Sequence, residues 1–166
     1  MRKSNSVFMT QAAMVAAIYV VLTIVFAPIS FGQVQLRIAE ALTILPVFTP
    51  AAVPGLFIGC LIGNILGGAV LPDIIFGSIA TLIGAYFTWR LKEKKPYIAV
   101  LPPILSNTII VPFILRYAYG VFLPVPFMML TVGLGEIMGC GVLGIVLYYG
   151  LRRYSHILFK KASDLR

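Results

Sequence analysis

Long apolar runs, broken by short polar or proline-rich stretches, dominate this sequence. The first run begins near Phe8 and stops before Pro28, and the turn-rich stretch Pro28 to Gln35 follows it. A shorter segment near Arg37 to Phe48 is punctuated by Pro46, Pro50 and Pro54, since proline removes a donor and interrupts a helix. Gly67-Gly68 opens a loop to Pro72-Asp73, and the run after it stops at the charged hexapeptide Arg90-Leu91-Lys92-Glu93-Lys94-Lys95. Another run is bent by Pro102, Pro103 and Pro112, and the last begins near Pro124. The pattern predicts helices over 8–27, 37–49, 54–67, 72–90, 97–118 and 124–151. The second and third are short for a full crossing, which takes roughly 20 residues.

Composition turns this pattern into a fold class. Sixty per cent of the 166 residues are hydrophobic and 11% are charged, against roughly 25% charged in a soluble domain. The surplus apolar surface must face lipid, so an all-α integral membrane protein of six transmembrane helices is expected, with residues 1–166 as a single transmembrane domain. No cleavable signal peptide is expected, because the first apolar run lacks a small-residue cleavage site and leads into further spans. The net charge of +8 does not point to nucleic acid, because the basic residues sit between the apolar runs. Arg2, Lys3, Arg90, Lys92, Lys94, Lys95, Arg152, Arg153, Lys160, Lys161 and Arg166 all fall on one side if the chain crosses six times. That side is expected to be the cytoplasm, with both termini on it and the basic loops against anionic headgroups.

The exceptions to this sorting are the candidate site. Arg37 and Arg116 map to the outer half, as do Glu40, Asp73, Glu136 and Asn107, with Gln33 and Gln35 in the first outer loop. An ionisable group at bilayer depth costs roughly 2.5–3.5 kcal/mol on insertion scales and is a functional candidate by default. Each also has a structural reading: an Arg37–Glu40 pair at three-residue spacing, Asp73 as a helix cap, Glu136 protonated or paired with Arg116, and Asn107 as a helix cross-link. Together, on one side, they suggest a polar pocket open to the outside.

Small residues form a second pattern. Ala12, Ala13, Ala16 and Ala17 make two overlapping Ala-x-x-x-Ala pairs, a smooth face for another helix of this chain or of a partner. Gly55, Gly59, Gly63 and Gly67 recur every four residues, and Gly135 and Gly139 lie on the last helix, both sets expected to pack inside the bundle. Cys60 and Cys140 lie in apolar segments and are expected to be small packing residues, with no disulfide and no metal site. No phosphate-cradling glycine motif, His-Glu-x-x-His or nucleophile–base pair occurs, so neither enzyme activity nor a cofactor is expected and any ATP is hydrolysed by a partner.

Five blocks then carry a family likeness. They are Phe31-Gly-Gln-Val-Gln-Leu-Arg-Ile-Ala-Glu-Ala-Leu-Thr-Ile-Leu-Pro46, Pro54-Gly-Leu-Phe-Ile-Gly-Cys60, Asp73-Ile-Ile-Phe-Gly-Ser-Ile-Ala-Thr-Leu82, Pro102-Pro-Ile-Leu-Ser-Asn107 and Val132-Gly-Leu-Gly-Glu136. In this order, over roughly residues 10 to 150, the chain resembles the QueT family of substrate-specific (S) components of energy-coupling factor (ECF) transporters. The resemblance implies a six-helix S-component bundle in a bacterial plasma membrane that captures queuosine precursors, which are 7-deazaguanine bases. It also implies an ECF module of one transmembrane coupling protein and two ATPases, docked on the Ala12, Ala13, Ala16 and Ala17 face.

The cluster suits such a ligand. A guanine-like edge offers N–H and amino donors side by side, which Glu136 or Glu40 can accept. Asn107 and Gln35 can serve the ring carbonyl and ring N–H groups, with Arg37 and Asp73 beside them. Phe31, Tyr117, Tyr119 and Phe122 are candidate aromatic walls, or else an interfacial belt. A proton-coupled carrier using Glu40, Asp73 and Glu136 as a relay, or an S component for another vitamin-like substrate, are the alternative readings.

Overall fold

A computed structural model describes residues 2–30 and 37–155 of the chain. It is built from six helical segments in sequence order, with no strand among the described residues. Helix α1 spans Arg2–Val25, uninterrupted by proline until Pro28, and a further turn covers Ala27–Ser30. Helix α2 is Ile38–Val47, α3 is Ala52–Leu66, and α4 starts as Asp73–Gly77 and continues as Ser78–Arg90. Helix α5 comprises Pro96–Ala99 and Leu101–Tyr117, its two parts meeting just before Pro102 and Pro103. Helix α6 runs without a break through Val125–Glu136, Ile137–Leu143 and Gly144–Arg152. Three apolar stretches are long enough to cross a membrane: Asn5–Val25, Pro96–Tyr117 and Val125–Arg152. Large apolar side chains are exposed along every long helix, as a lipid-facing surface requires. This is an all-α membrane bundle.

Three segments depart from α geometry. Helix α2 is a 3-10 helix of ten residues, where runs beyond three or four are uncommon. At about 2.0 Å per residue it reaches about 20 Å, against about 15 Å for the same residues in an α-helix. The segment that looked short for its task is therefore lengthened by its winding. Ala39 to Pro46 are all buried, so α2 is the central post of the bundle and not a lipid-facing wall. Asp73–Gly77 and Ile137–Leu143 are π-helical, a rare winding that concentrates at functional sites.

Glycine sets the closest helix contact. A Cβ added at Gly55 would lie 2.6 Å from the Ala12 carbonyl oxygen, and one at Gly59 would lie 2.8 Å from Tyr19 Cβ. One at Gly63 would lie 3.2 Å from Thr23 Oγ1. The four-residue glycine repeat of α3 is thus the seat of α1. Val15 and Tyr19 of α1 join Ala39, Leu42 and Leu45 of α2 and Ala52, Leu56 and Cys60 of α3 in the main apolar core. The alanines of α1 divide between two faces. Ala16 is buried and Ala12 half-buried against α3, whereas Ala13 and Ala17 are exposed.

Gly59→Ala should destabilise the bundle by about 1–3 kcal/mol, the usual cost of forcing an extra methyl into a packed contact. Thermal melting of the detergent-purified protein measures this. Gly150→Ala, where an added Cβ meets nothing within 4 Å, should leave the midpoint unchanged.

Candidate functional site

All six helices send a polar side chain to one buried cluster. Tyr19 comes from α1, Arg37 and Glu40 from the start of α2, Cys60 and Asn64 from α3, Asp73 and Thr81 from α4, Asn107 from α5, and Glu136 and Cys140 from α6; every one is buried. Three-residue spacing on a 3-10 helix places successive groups on one face, so the winding of α2 aligns Glu40 and Thr43, with Arg37 at the extended cap just before it. Gly139 lets α6 approach this face, since a Cβ there would lie 2.9 Å from the Arg37 carbonyl oxygen.

Glu40, with 1% of its surface exposed, is the hub. Its Oε1 accepts a hydrogen bond from the Tyr19 hydroxyl, and the Thr81 hydroxyl lies 3.4 Å from the same oxygen. Its Oε2 lies 3.9 Å from Cys140 Sγ, whose thiol donates to Glu136 Oε2 at 3.1 Å. The buried Asn107 side chain interacts with both carboxyl groups. The Thr43 hydroxyl donates to the Glu40 carbonyl at 2.6 Å and sits 3.4 Å from Cys140 Sγ. One oxygen from each glutamate and the Cys140 sulfur lie within 4.8 Å of one another. Such a set could close on a small cation, and with Asn107 beside it the same set can take the N–H donors of an organic ligand.

A second group closes the end of the bundle nearest Asp73. Arg37 Nη2 pairs with Asp73 Oδ2 at 3.5 Å, and the Tyr119 hydroxyl donates to that oxygen at 2.9 Å while lying 3.4 Å from the Val70 amide. Burial, then the neighbouring Asp73 carboxylate, pushes the Tyr119 phenol up to about 12. It therefore stays protonated, and able to donate, across the physiological range. The Asn64 amide joins the two groups, donating to the Asp73 carbonyl at 3.3 Å and lying 3.6 Å from Cys60 Sγ. Thr81, 3.4 Å from Cys60 Sγ, continues the chain to Glu40.

Of the residues expected from sequence, Glu40, Glu136, Asn107, Arg37 and Asp73 come together. Arg37 takes Asp73 as its ion-pair partner, and Asp73 makes no side-chain cap to its own helix. Phe31 and Gln35 lie outside the described residues. Tyr117 stands apart: it is 81% exposed and lines a groove of about 410 Å³ with Pro72, Phe76 and Phe113 on the outside of the bundle. Its neighbour Tyr119 is the aromatic that reaches the cluster. Arg116 also stands apart, donating to the Val121 carbonyl at 3.3 Å and lying 5.7 Å from the Phe122 ring centre, so it braces the α5–α6 loop. Tyr19, Thr81, Asn64 and both cysteines were not anticipated as site residues. Cys60 and Cys140 are more than packing residues, since each sits between polar partners.

The sequence profile of the family described as QueT transporter matches residues 9–153. The chain belongs to this family. A relative from Lactococcus lactis subsp. cremoris (strain MG1363), named queuosine precursor transporter QueT, is 35% identical over 85 residues. The aligned stretch is 50% of this chain and 50% of the relative, so the chain spans about half the length of the curated relative it matches. No solved structure matches the chain. Every residue of the cluster, from Tyr19 to Cys140, falls within the matched residues of the QueT transporter family.

Tyr119→Phe should release the α5–α6 loop from Asp73 without opening the bundle. Hydrogen exchange at the Val70 amide should quicken several-fold while the amides of α3 keep their protection.

Proposed function

We propose that this chain is the substrate-binding subunit of an ECF-type uptake transporter and that its substrate is a 7-deazaguanine precursor of queuosine. The observation that carries the reading is the pair of buried carboxyl groups, Glu40 and Glu136, converging with Asn107 on one point inside a membrane bundle. Two carboxyls and an amide suit a ligand rich in N–H donors that also carries a ring carbonyl, as a guanine-like base does. The relative's name adds independent support. Asp73, Arg37 and Tyr119 form the wall toward the outer side, with Gln35 and Phe31 of the first outer loop as further candidate ligand contacts.

The base enters from outside, its amino and ring N–H groups replacing the weak thiol donor that Cys140 offers. Both termini are cytoplasmic, in a bacterial plasma membrane, with the basic loops against the headgroups. Energy comes from a partner module of a coupling protein and two ATPases, as the resemblance to ECF S components implies. The docking face is narrower than the alanine pattern suggested: Ala13 and Ala17 are exposed, while Ala12 and Ala16 turn toward α3. Three buried carboxyls in one membrane bundle, Glu40, Asp73 and Glu136, favour one rival, a proton-coupled carrier that needs no partner.

Glu136→Ala should weaken binding of 7-deazaguanine to the purified protein by about ten- to hundredfold, since a charge-assisted hydrogen bond contributes roughly 1.5–3 kcal/mol. Retained affinity would remove Glu136 from the site. Uptake of labelled base should require co-expression of the partner module, and Ala13→Trp or Ala17→Trp should block uptake while binding is retained. Uptake that proceeds without the module, and stops when the proton gradient is dissipated, would select the rival.

A further inference from the structure

Tyr19 is the only polar side chain that α1 sends to Glu40 among the described contacts, and its placement is over-determined. The side chain is 1% exposed. Its Cβ lies against Gly59, where any larger residue would collide, and its carbonyl is held by the Thr23 hydroxyl at 2.9 Å. The ring thus has a fixed origin, and its hydroxyl ends on Glu40 Oε1.

This contact makes the two oxygens of Glu40 unequal. Oε1 accepts from the Tyr19 hydroxyl and lies 3.4 Å from the Thr81 hydroxyl, which also faces the Gly77 carbonyl at 3.2 Å. Oε2 faces Cys140 and, beyond the sulfur, Glu136 Oε2. Two N–H bonds from one amino nitrogen, each about 2.9 Å to its acceptor and diverging at about 120°, need acceptors about 5 Å apart. One oxygen from each glutamate lies within 4.8 Å of the other, so the two carboxyls are near enough for one amino group to bridge them. A single carboxylate cannot provide that span, because its own oxygens are only about 2.2 Å apart. The Cys140 thiol between them is a weak donor that an N–H group outcompetes.

We propose that Tyr19 is a specificity-determining positioning residue: by holding Glu40 Oε1 it presents Oε2 to the site, where Glu40 and Glu136 together grip the two N–H bonds of one exocyclic amino group. The inference rests on the site being the base-binding site, and it adds the part of the ligand that is read and the residue that sets the reading. Tyr19 does not touch the ligand. It acts through Glu40.

The test compares two bases, 7-deazaguanine and 7-deazahypoxanthine, which differ by the amino group. Calorimetry with wild-type protein should show 7-deazaguanine bound at least about tenfold more tightly. Tyr19→Phe keeps the ring and removes only the hydroxyl. It should shrink that ratio severalfold, through loss of affinity for 7-deazaguanine, while 7-deazahypoxanthine binds as before. A merely structural Tyr19 would weaken both bases equally and leave the ratio alone, which overturns the proposal. If Tyr19→Phe does not fold, Thr81→Val, which removes the second group facing Oε1, should move the ratio in the same direction; an unchanged ratio again counts against it. A wild-type protein that binds both bases equally overturns the amino-group grip but leaves the base-binding site standing. A wild-type protein that binds neither base overturns both.

Discussion

Glu40 sits at the centre of an apolar bundle with almost no exposed surface. Water cannot satisfy it there, so each oxygen must find a partner on a neighbouring helix or a bound ligand. Much of what is unusual in this fold serves that requirement. Tyr19 reaches across from α1, Thr81 from α4, and Asn107 from α5. Glu136 arrives on α6 at the entry to a π-helical turn, with Cys140 inside that turn. Asp73 opens the other π-helical turn, and Arg37 precedes a 3-10 helix. Regular winding serves the lipid-facing lengths, and irregular winding is found where polar groups converge.

The glycine repeat of α3 belongs to the same account. A carboxyl group can be met from α1 only if α1 lies close, and Gly55, Gly59 and Gly63 allow the two backbones to approach without side chains between them. That seating also decides which alanines of α1 remain on the surface. The inward face of α1 holds the cluster together, and its outward face, with Ala13 and Ala17, stays smooth.

Much of the fold was legible because hydropathy and charge act at the level of whole segments. The six helices lie close to where the apolar runs placed them, although α1 begins earlier, at Arg2. The buried polar cluster was legible for a simple reason: Glu40, Asp73, Glu136, Asn107 and Arg37 are polar residues in segments where such residues are costly. Neutral or weakly polar partners carried no comparable signal. Tyr19, Thr81, Cys60 and Cys140 look like ordinary membrane-helix residues, and only their neighbours in space reveal them. Helix winding was equally hidden. The Arg37–Glu40 spacing fits an α-helix as well as a 3-10 helix, and nothing in Ile137 to Leu143 beyond its glycines hints at a π-turn.

The winding of α2 has a bearing on how this segment can vary. At three residues per turn, each residue advances the helix by about 120°. A single insertion or deletion between Glu40 and Thr43 would therefore swing one of the two groups a third of a turn away, toward apolar neighbours. Only a change of three residues restores the angular register, and it moves the groups about 6 Å apart along the axis, so that both can no longer face Cys140. Side chains here can be exchanged one for another, but the length of the segment cannot drift. In this stretch the count of residues is itself part of what holds the buried cluster together.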